Sequence, residues 1–328
     1  MSLFLLVRLA FPCAGLLHGE SVHVESNTQH VIMSLNGDNT ISEYRIEYEG
    51  DTDDFGWVIP IFGNMVSIEE GDGSIFDLYE DITAPKIYEN VAPESSCGPA
   101  AKGGDFSFED ERFVQGFTGT FEYVVVPATD VESFAAWGDV NGWNTASIST
   151  VLPQYSSEPN ISLVLLRIRQ DLFAGEVAFS PSIRLEFEGN EMRYPAMLGS
   201  ISPENELHTV VYIQGEGNAE VGGWGQEDVG DISGTLDDDG TALYMQRLRD
   251  ISETRASFGT VFAGDINGVW VTRLDSLVSP EQNTHEPFFQ IGNEKSEIVA
   301  EVTLSENSSA WILGLGFLLG LFGLKRRR

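Results

Sequence analysis

The chain has 328 residues and sets 51 Asp and Glu against 18 Lys and Arg, a formal charge of −33 at pH 7. A polyanion needs a basic footprint on its partner, so a nucleic-acid partner is excluded, and two cysteines are too few for a disulfide-dense scaffold or a cysteine zinc site. With 42% hydrophobic and 11% aromatic residues, the chain has enough apolar surface to offset its ordering entropy, which excludes general disorder.

Along the chain, Ser2 to Leu17 is largely apolar but carries Arg8, Pro12 and Cys13 and lacks a basic start. Residues 1–20 therefore read as a degenerate export signal or N-terminal segment. Cys13 and Cys97 are the pair available for one disulfide, unless cleavage removes Cys13. Strand signals dominate from about His30: Ile41 to Tyr48, Trp57 to Phe62, Phe121 to Val126, Leu163 to Ile168, Ile183 to Phe187 and Thr209 to Ile213 are β-branched or aromatic runs bounded by Gly, Pro or Asp. In Ile183-Arg184-Leu185-Glu186-Phe187 the apolar residues alternate with charges, as in an antiparallel strand with one wet face. Helices are expected at Ser74 to Ile82, Val131 to Trp137, around Ser147 to Tyr155 and at Ala242 to Arg249.

This order of elements gives a β-rich α+β fold with mostly antiparallel sheets, a few short helices and a C-terminal hydrophobic helix. The acidic globular body spans 21–304, with a second lobe boundary near residue 128, after Pro127. Gly215 to Asp239, rich in Gly, Asp and Glu, reads as a long surface loop or lobe junction. Within the tail 305–328, Ala310 to Leu324 has no polar side chain and is followed by Lys325, Arg326, Arg327 and Arg328. As a helix this run is about 22 Å long at 1.5 Å per residue, short of the roughly 30 Å hydrocarbon core. Snorkelling of Lys325 and local thinning make up the difference. Trp311, Leu313, Phe317 and Leu321, with Lys325, Arg326, Arg327 and Arg328, are the membrane-anchor candidates, and the basic cluster places the C-terminus on the cytoplasmic side. The tail also resembles bacterial C-terminal sorting signals, although Ser305 to Ser309 lacks the motif that defines them.

Candidate sites are sparse. Gly215-Glu216-Gly217 follows a strand, but Glu216 and Glu220 would repel a pyrophosphate. Asp139 with Asn141 and Asp265 with Asn267 each precede a glycine as in calcium loops, yet the later acidic ligands are missing, so tight turns are the simpler reading. Asp237 and Asp239 form an acidic turn of the same kind. The five histidines show no metal or catalytic spacing and no Gly-x-Ser-x-Gly elbow occurs, so no catalytic residue and no cofactor other than calcium is named. These features together point to an envelope protein outside the cytoplasm, non-catalytic, bound to the membrane through its tail and binding an envelope protein, a glycan or a cation. The alternatives are an extracytoplasmic hydrolase and a calcium-dependent adhesive module.

Several segments together carry a family resemblance. Gly50-Asp51, Phe55-Gly56-Trp57-Val58-Ile59-Pro60, Phe76-Asp77-Leu78 and Thr83-Ala84-Pro85 come first. Trp137, Asn141-Gly142-Trp143, Tyr155, Ile183 to Phe187, Tyr194-Pro195 and Val271-Thr272-Arg273-Leu274 follow. In this order they resemble the secreted bacterial domain-of-unknown-function family 2330, over residues 13 to 290. The chain departs from that family's two-cysteine start, since Cys13-Ala14-Gly15-Leu16-Leu17-His18 keeps only the first cysteine. The resemblance implies export and one large domain, and it implies no activity.

Overall fold

A computed structural model describes residues 15–19, 24–50, 55–88, 114–158, 160–168, 177–201, 206–235 and 238–305. Cys13, Cys97, Asp237 and the tail 306–328 lie outside the described residues, and with them the expected disulfide and membrane helix. Among the described residues no helix is long and apolar enough to cross a membrane.

The elements run β1 (Leu16–Leu17), β2 (Val24–Asn36), β3 (Asn39–Gly50), β4 (Gly56–Ile61), β5 (Met65–Glu70), α1 (Ser74–Thr83), β6 (Lys86–Tyr88), β7 (Val114–Thr118) and β8 (Phe121–Pro127). Next come α2 (Val131–Asn141), α3 (Leu152–Ser156), β9 (Ser162–Ile168), β10 (Val177–Phe179), β11 (Ile183–Glu188), β12 (Met192–Arg193) and β13 (Leu207–Gly215). The last are β14 (Ala219–Gly222), β15 (Gly225–Asp228), β16 (Asp231–Thr235), α4 (Gly240–Ser252), β17 (Ser257–Ile266), β18 (Val269–Val278), β19 (Phe288–Ile291), β20 (Ile298–Val299) and β21 (Glu301–Ser305). The protein is β-rich, with several mostly antiparallel sheets and few short helices.

Two sheets form the body. The first is five-stranded and antiparallel, in the order β1-β4-β9-β8-β7; the second is ten-stranded, with the path β15-β17-β18-β13-β2-β3-β11-β5 and with β10 and β20 attached to β3 and β17. They face each other across the main core. Trp57, Ile59, Val164, Leu166 and Phe121 come from one side, and Val31, Met33, Tyr44, Ile46, Val211 and Leu274 from the other. Alternation along β9 sends Val164, Leu166 and Ile168 into this core and Leu163 and Leu165 to the opposite face, where α2, Trp143 and α3 cover them. Helix α2 owes its position to Phe134 and Trp137. It is capped by Asp130, which accepts from Ser133 N at 3.0 Å, and ends where Gly142 turns left-handed at φ 72°.

The outer face of the ten-stranded sheet is covered by α1, through Phe76 and Tyr79, and by α4, through Tyr244, Leu248 and Ile251. The result is four layers, helix, sheet, sheet, helix. β11 alternates as expected, with Ile183, Leu185 and Phe187 buried and Arg184 exposed. The segment from 215 to 239 departs from expectation. It is not a loop, because β14 pairs with β19, β15 runs parallel to β17 and β16 runs parallel to β21. Short strands of this composition take their order from ladder hydrogen bonds to distant partners and not from their own apolar pattern.

Leu165 is fully buried between β9 and the α2/α3 layer, while Val140, on the outer side of α2, is 65% exposed. Leu165→Ala is expected to lower the unfolding free energy by about 2–5 kcal/mol through transfer and cavity costs. Val140→Ala should change it by less than about 0.5 kcal/mol. Urea unfolding of both variants checks this, and equal effects would show that the outer helices do not seal that face.

Candidate functional site

The densest group of displaced titratable side chains lies between the ten-stranded sheet and its two covering helices. In β18 the sequence Val271-Thr272-Arg273-Leu274-Asp275 places Leu274 in the main core and Arg273 and Asp275, two residues apart, on the helix-facing side. Cross-strand register extends this row: Asp275 pairs with Val210, Val210 with His30 and His30 with Arg45, while Arg273 pairs with Tyr212, Tyr212 with Ile32 and Ile32 with Glu43.

Arg273 is 2% exposed and Asp275 is fully buried. The guanidinium donates to Asp275 from Nε at 2.8 Å and from Nη2 at 2.9 Å, and from Nη1 to Glu80 Oε2 at 3.0 Å. Helix α4 adds Tyr244, whose hydroxyl donates to Asp275 Oδ2 at 2.7 Å, and β13 adds His208 Nε2 at 3.3 Å from the same oxygen. Tyr212 donates to Glu80 Oε2 at 2.8 Å. Burial pushes the Asp275 carboxyl up, but the charge of Arg273 and hydrogen bonds from His208 and Arg273 outweigh it and hold the group well below the usual carboxylate range. Burial raises the Tyr212 and Tyr244 hydroxyls well above their ordinary range.

Beside this network Arg45 lies between the rings of Phe76, at 4.9 Å, and Phe179, at 4.2 Å, and donates to Asp77 Oδ1 at 2.6 Å. His30 meets the same two rings edge-on. Burial, then the neighbouring Arg45, lowers its imidazole to about 3, so it is neutral at physiological pH. A second acid with a displaced carboxyl, Glu286, lies in the segment before β19. Glu286 accepts from Tyr155 OH at 2.5 Å and from Met197 N at 3.0 Å. Burial raises its carboxyl to about 8, although those hydrogen bonds oppose the shift.

The Arg273, Asp275, Glu80, Tyr244 and Tyr212 side chains bond one another across layers and clamp helices to a sheet, whereas the buried His30 Nδ1 and Arg45 Nε have no hydrogen-bond partner among the described residues. The residues singled out from sequence lie elsewhere. Asn141 Nδ2 donates to Trp137 O at 2.8 Å, at the end of the helix that also carries Asp139. Asp239 caps α4, accepting from Thr241 N at 2.8 Å and Ala242 N at 3.2 Å. Asp265 accepts from Gly268 N at 2.8 Å in the β17–β18 turn, where Asn267 has φ 55°. The structure brings none of these pairs into one cluster, and among the described residues no group of three or more His, Cys, Asp or Glu side chains is placed to hold a metal ion. His30, which showed no metal or catalytic spacing in the sequence, is buried in this layer, and His208, partly exposed, reaches into it to Asp275. The signal for that layer was the pair of opposite charges at Arg273 and Asp275, which shares one strand face.

No protein-family model and no curated protein matches the chain. Among solved structures, baculovirus P35 is similar at a TM-score of 0.36, with 9% identity over 83% of this chain and 92% of that chain. A mutated baculovirus P35 after caspase cleavage is similar at 0.36, with 8% identity over 80% and 93%. Likeness at this level carries no argument about fold or function.

Asp275→Asn leaves Arg273 buried opposite a neutral group and is expected to cost about 3–5 kcal/mol, whereas Arg273→Met combined with Asp275→Leu should recover most of that loss. Chemical denaturation of the three proteins tests this, and a mild single variant would remove the clamp. Two opposite pH slopes are also expected. His30, lowered from 6.5 to about 3, contributes stability present above about 6.5 and lost as pH falls toward 3. Glu286, raised from 4.5 to about 8, contributes stability present below about 4.5 and lost as pH rises through 8. Glu286→Gln should flatten the alkaline slope and leave the acid slope in place, as read from melting temperature against pH.

Proposed function

We propose that the protein is a non-catalytic binding or structural component of the cell envelope, held outside the cytoplasm by its C-terminal segment and belonging with the secreted family 2330. The carrying observation is charge order along the chain. The body is strongly acidic, whereas four of the 18 cations are the last four residues, directly after the apolar run Ala310 to Leu324. A basic cluster next to an apolar run is the arrangement retained on the cytoplasmic side of a membrane, which leaves the acidic body outside. The interior supports a binding role over a catalytic one. Asp275 and Glu286, two carboxyls whose protonation is strongly displaced, are engaged in hydrogen bonds that join one layer to another. Outside the cell the surplus of carboxylates keeps the body soluble by self-repulsion, and any ligand it takes is neutral or cationic.

Fractionation of producing cells, external protease and intact-mass measurement of the body test the proposal together. A membrane-bound body cut by external protease, with residues 310–328 attached, is the expected result, and a released body lacking them would make the tail a sorting signal. A body confined to the cytoplasm would overturn the proposal.

A further inference from the structure

Three turns meet at one edge of the two-sheet body. They are Phe62-Gly63-Asn64 between β4 and β5, Glu158 and Asn160 between α3 and β9, and Glu188 to Arg193 between β11 and β12, and they enclose an open pocket of ≈ 400 Å³. Its shape is built into the backbone. A side chain at Gly63 would meet Glu188 O at 1.8 Å, Asn160 has φ 64° and Gly189 has φ 113°.

The pocket's polar groups are hydrogen-bonded to one another across its lining. Arg193 donates to Glu158 Oε2 at 2.8 Å from Nη1 and to Glu191 Oε2 at 2.9 Å from Nε, with its guanidinium 5.2 Å from the Phe62 ring. Asn64 Nδ2 donates to Glu188 Oε2 at 2.7 Å. Each glutamate is thus tied through one oxygen, and its Oε1 has no hydrogen-bond partner among the described residues. The same holds for Arg193 Nη2 and for the exposed Asn160 carboxamide.

From this arrangement we infer that the pocket is a binding site for an uncharged, polyhydroxylated ligand, the chemistry of a neutral saccharide. Three carboxylates oppose an anion, and Arg193 between Glu158 and Glu191 opposes a metal ion or an ammonium group. What remains open is a set of acceptors, the glutamate Oε1 atoms, interleaved with donors, Arg193 Nη2 and the Asn160 amide. Hydroxyl groups both donate and accept, so a sugar ring satisfies such a set where a purely accepting or purely donating ligand does not. The mutual hydrogen bonds among the lining side chains remove part of the cost of ordering them on binding. The inference rests on the envelope-binding reading, and it names the ligand class.

The test uses purified full-length protein titrated calorimetrically with neutral oligosaccharides of glucose, galactose, mannose and N-acetylglucosamine, and separately with calcium chloride and trilysine. At least one oligosaccharide is expected to bind. Glu188→Ala and Asn160→Ala should each weaken it about tenfold, the loss of a directional hydrogen bond. Asp81→Ala, a change of an exposed residue on α1, should leave binding unchanged. Melting temperatures close to wild type show that the variants fold. Binding of no saccharide, binding indifferent to the pocket variants, or binding of calcium or trilysine alone would overturn the inference. Binding by purified protein does not depend on where the protein resides. An extracytoplasmic body blind to saccharides defeats the pocket alone, and a cytoplasmic body that binds them defeats the envelope reading alone.

Discussion

The paired charges of Arg273 and Asp275 are the constraint on which the outer layer depends. Both are buried in the centre of the ten-stranded sheet, where an unpaired ion costs several kcal/mol. Further hydrogen bonds to the pair come from elsewhere: Glu80 and Thr83 from α1, Tyr244 from α4 and His208 from the neighbouring strand. Because each of these groups reaches the pair from one position only, the pair sets the register of two helices on the sheet. Desolvation offsets much of what such a network adds to net stability, and its contribution is to make one arrangement of layers preferable to others.

The five-stranded sheet achieves its position differently. β4 and β9 are apolar on both faces, so this sheet sits between the main core on one side and the Phe134, Trp137, Trp143 and Leu152 cluster on the other. Hydrophobic burial without direction would allow the helical layer to slide. Tyr155 limits that, since its hydroxyl anchors α3 to Glu286, which also accepts from Met197 N. Both helical layers thus use the same device, a carboxylate that gathers donors from separate elements. One is held ionised by Arg273, and the other is driven toward its neutral form by burial.

With the interior occupied in this way, the proposed binding site lies at a rim where turns from different layers meet. Turns there carry polar side chains on a rigid frame, which is how a β-rich body presents a binding surface without weakening its core. The pocket around Asn64, Asn160 and Arg193 has this character. The acidic remainder of the surface keeps the body soluble and repels anionic partners.

Local chemistry was legible in the sequence. Alternation over Ile183 to Phe187, the apolar runs of β3, β4, β8, β9 and β13, and the periodicity of α1 and α4 reflect residues choosing a conformation from their own burial needs. The turn roles of Asp239 and Asp265 follow from side chains bonding their own backbone within three residues. Only the tertiary structure decided where β14, β15 and β16 pair, because glycine- and acid-rich strands have no apolar period and are ordered by partners far along the chain. It alone decided that Arg273 would meet Glu80, 193 residues away, and that His30 would lie beside Arg45 under Phe76. A sequence shows which residues cannot stay in water or cannot stand alone. Which partner satisfies them is set by sheet order and register, and those are settled by the whole chain at once.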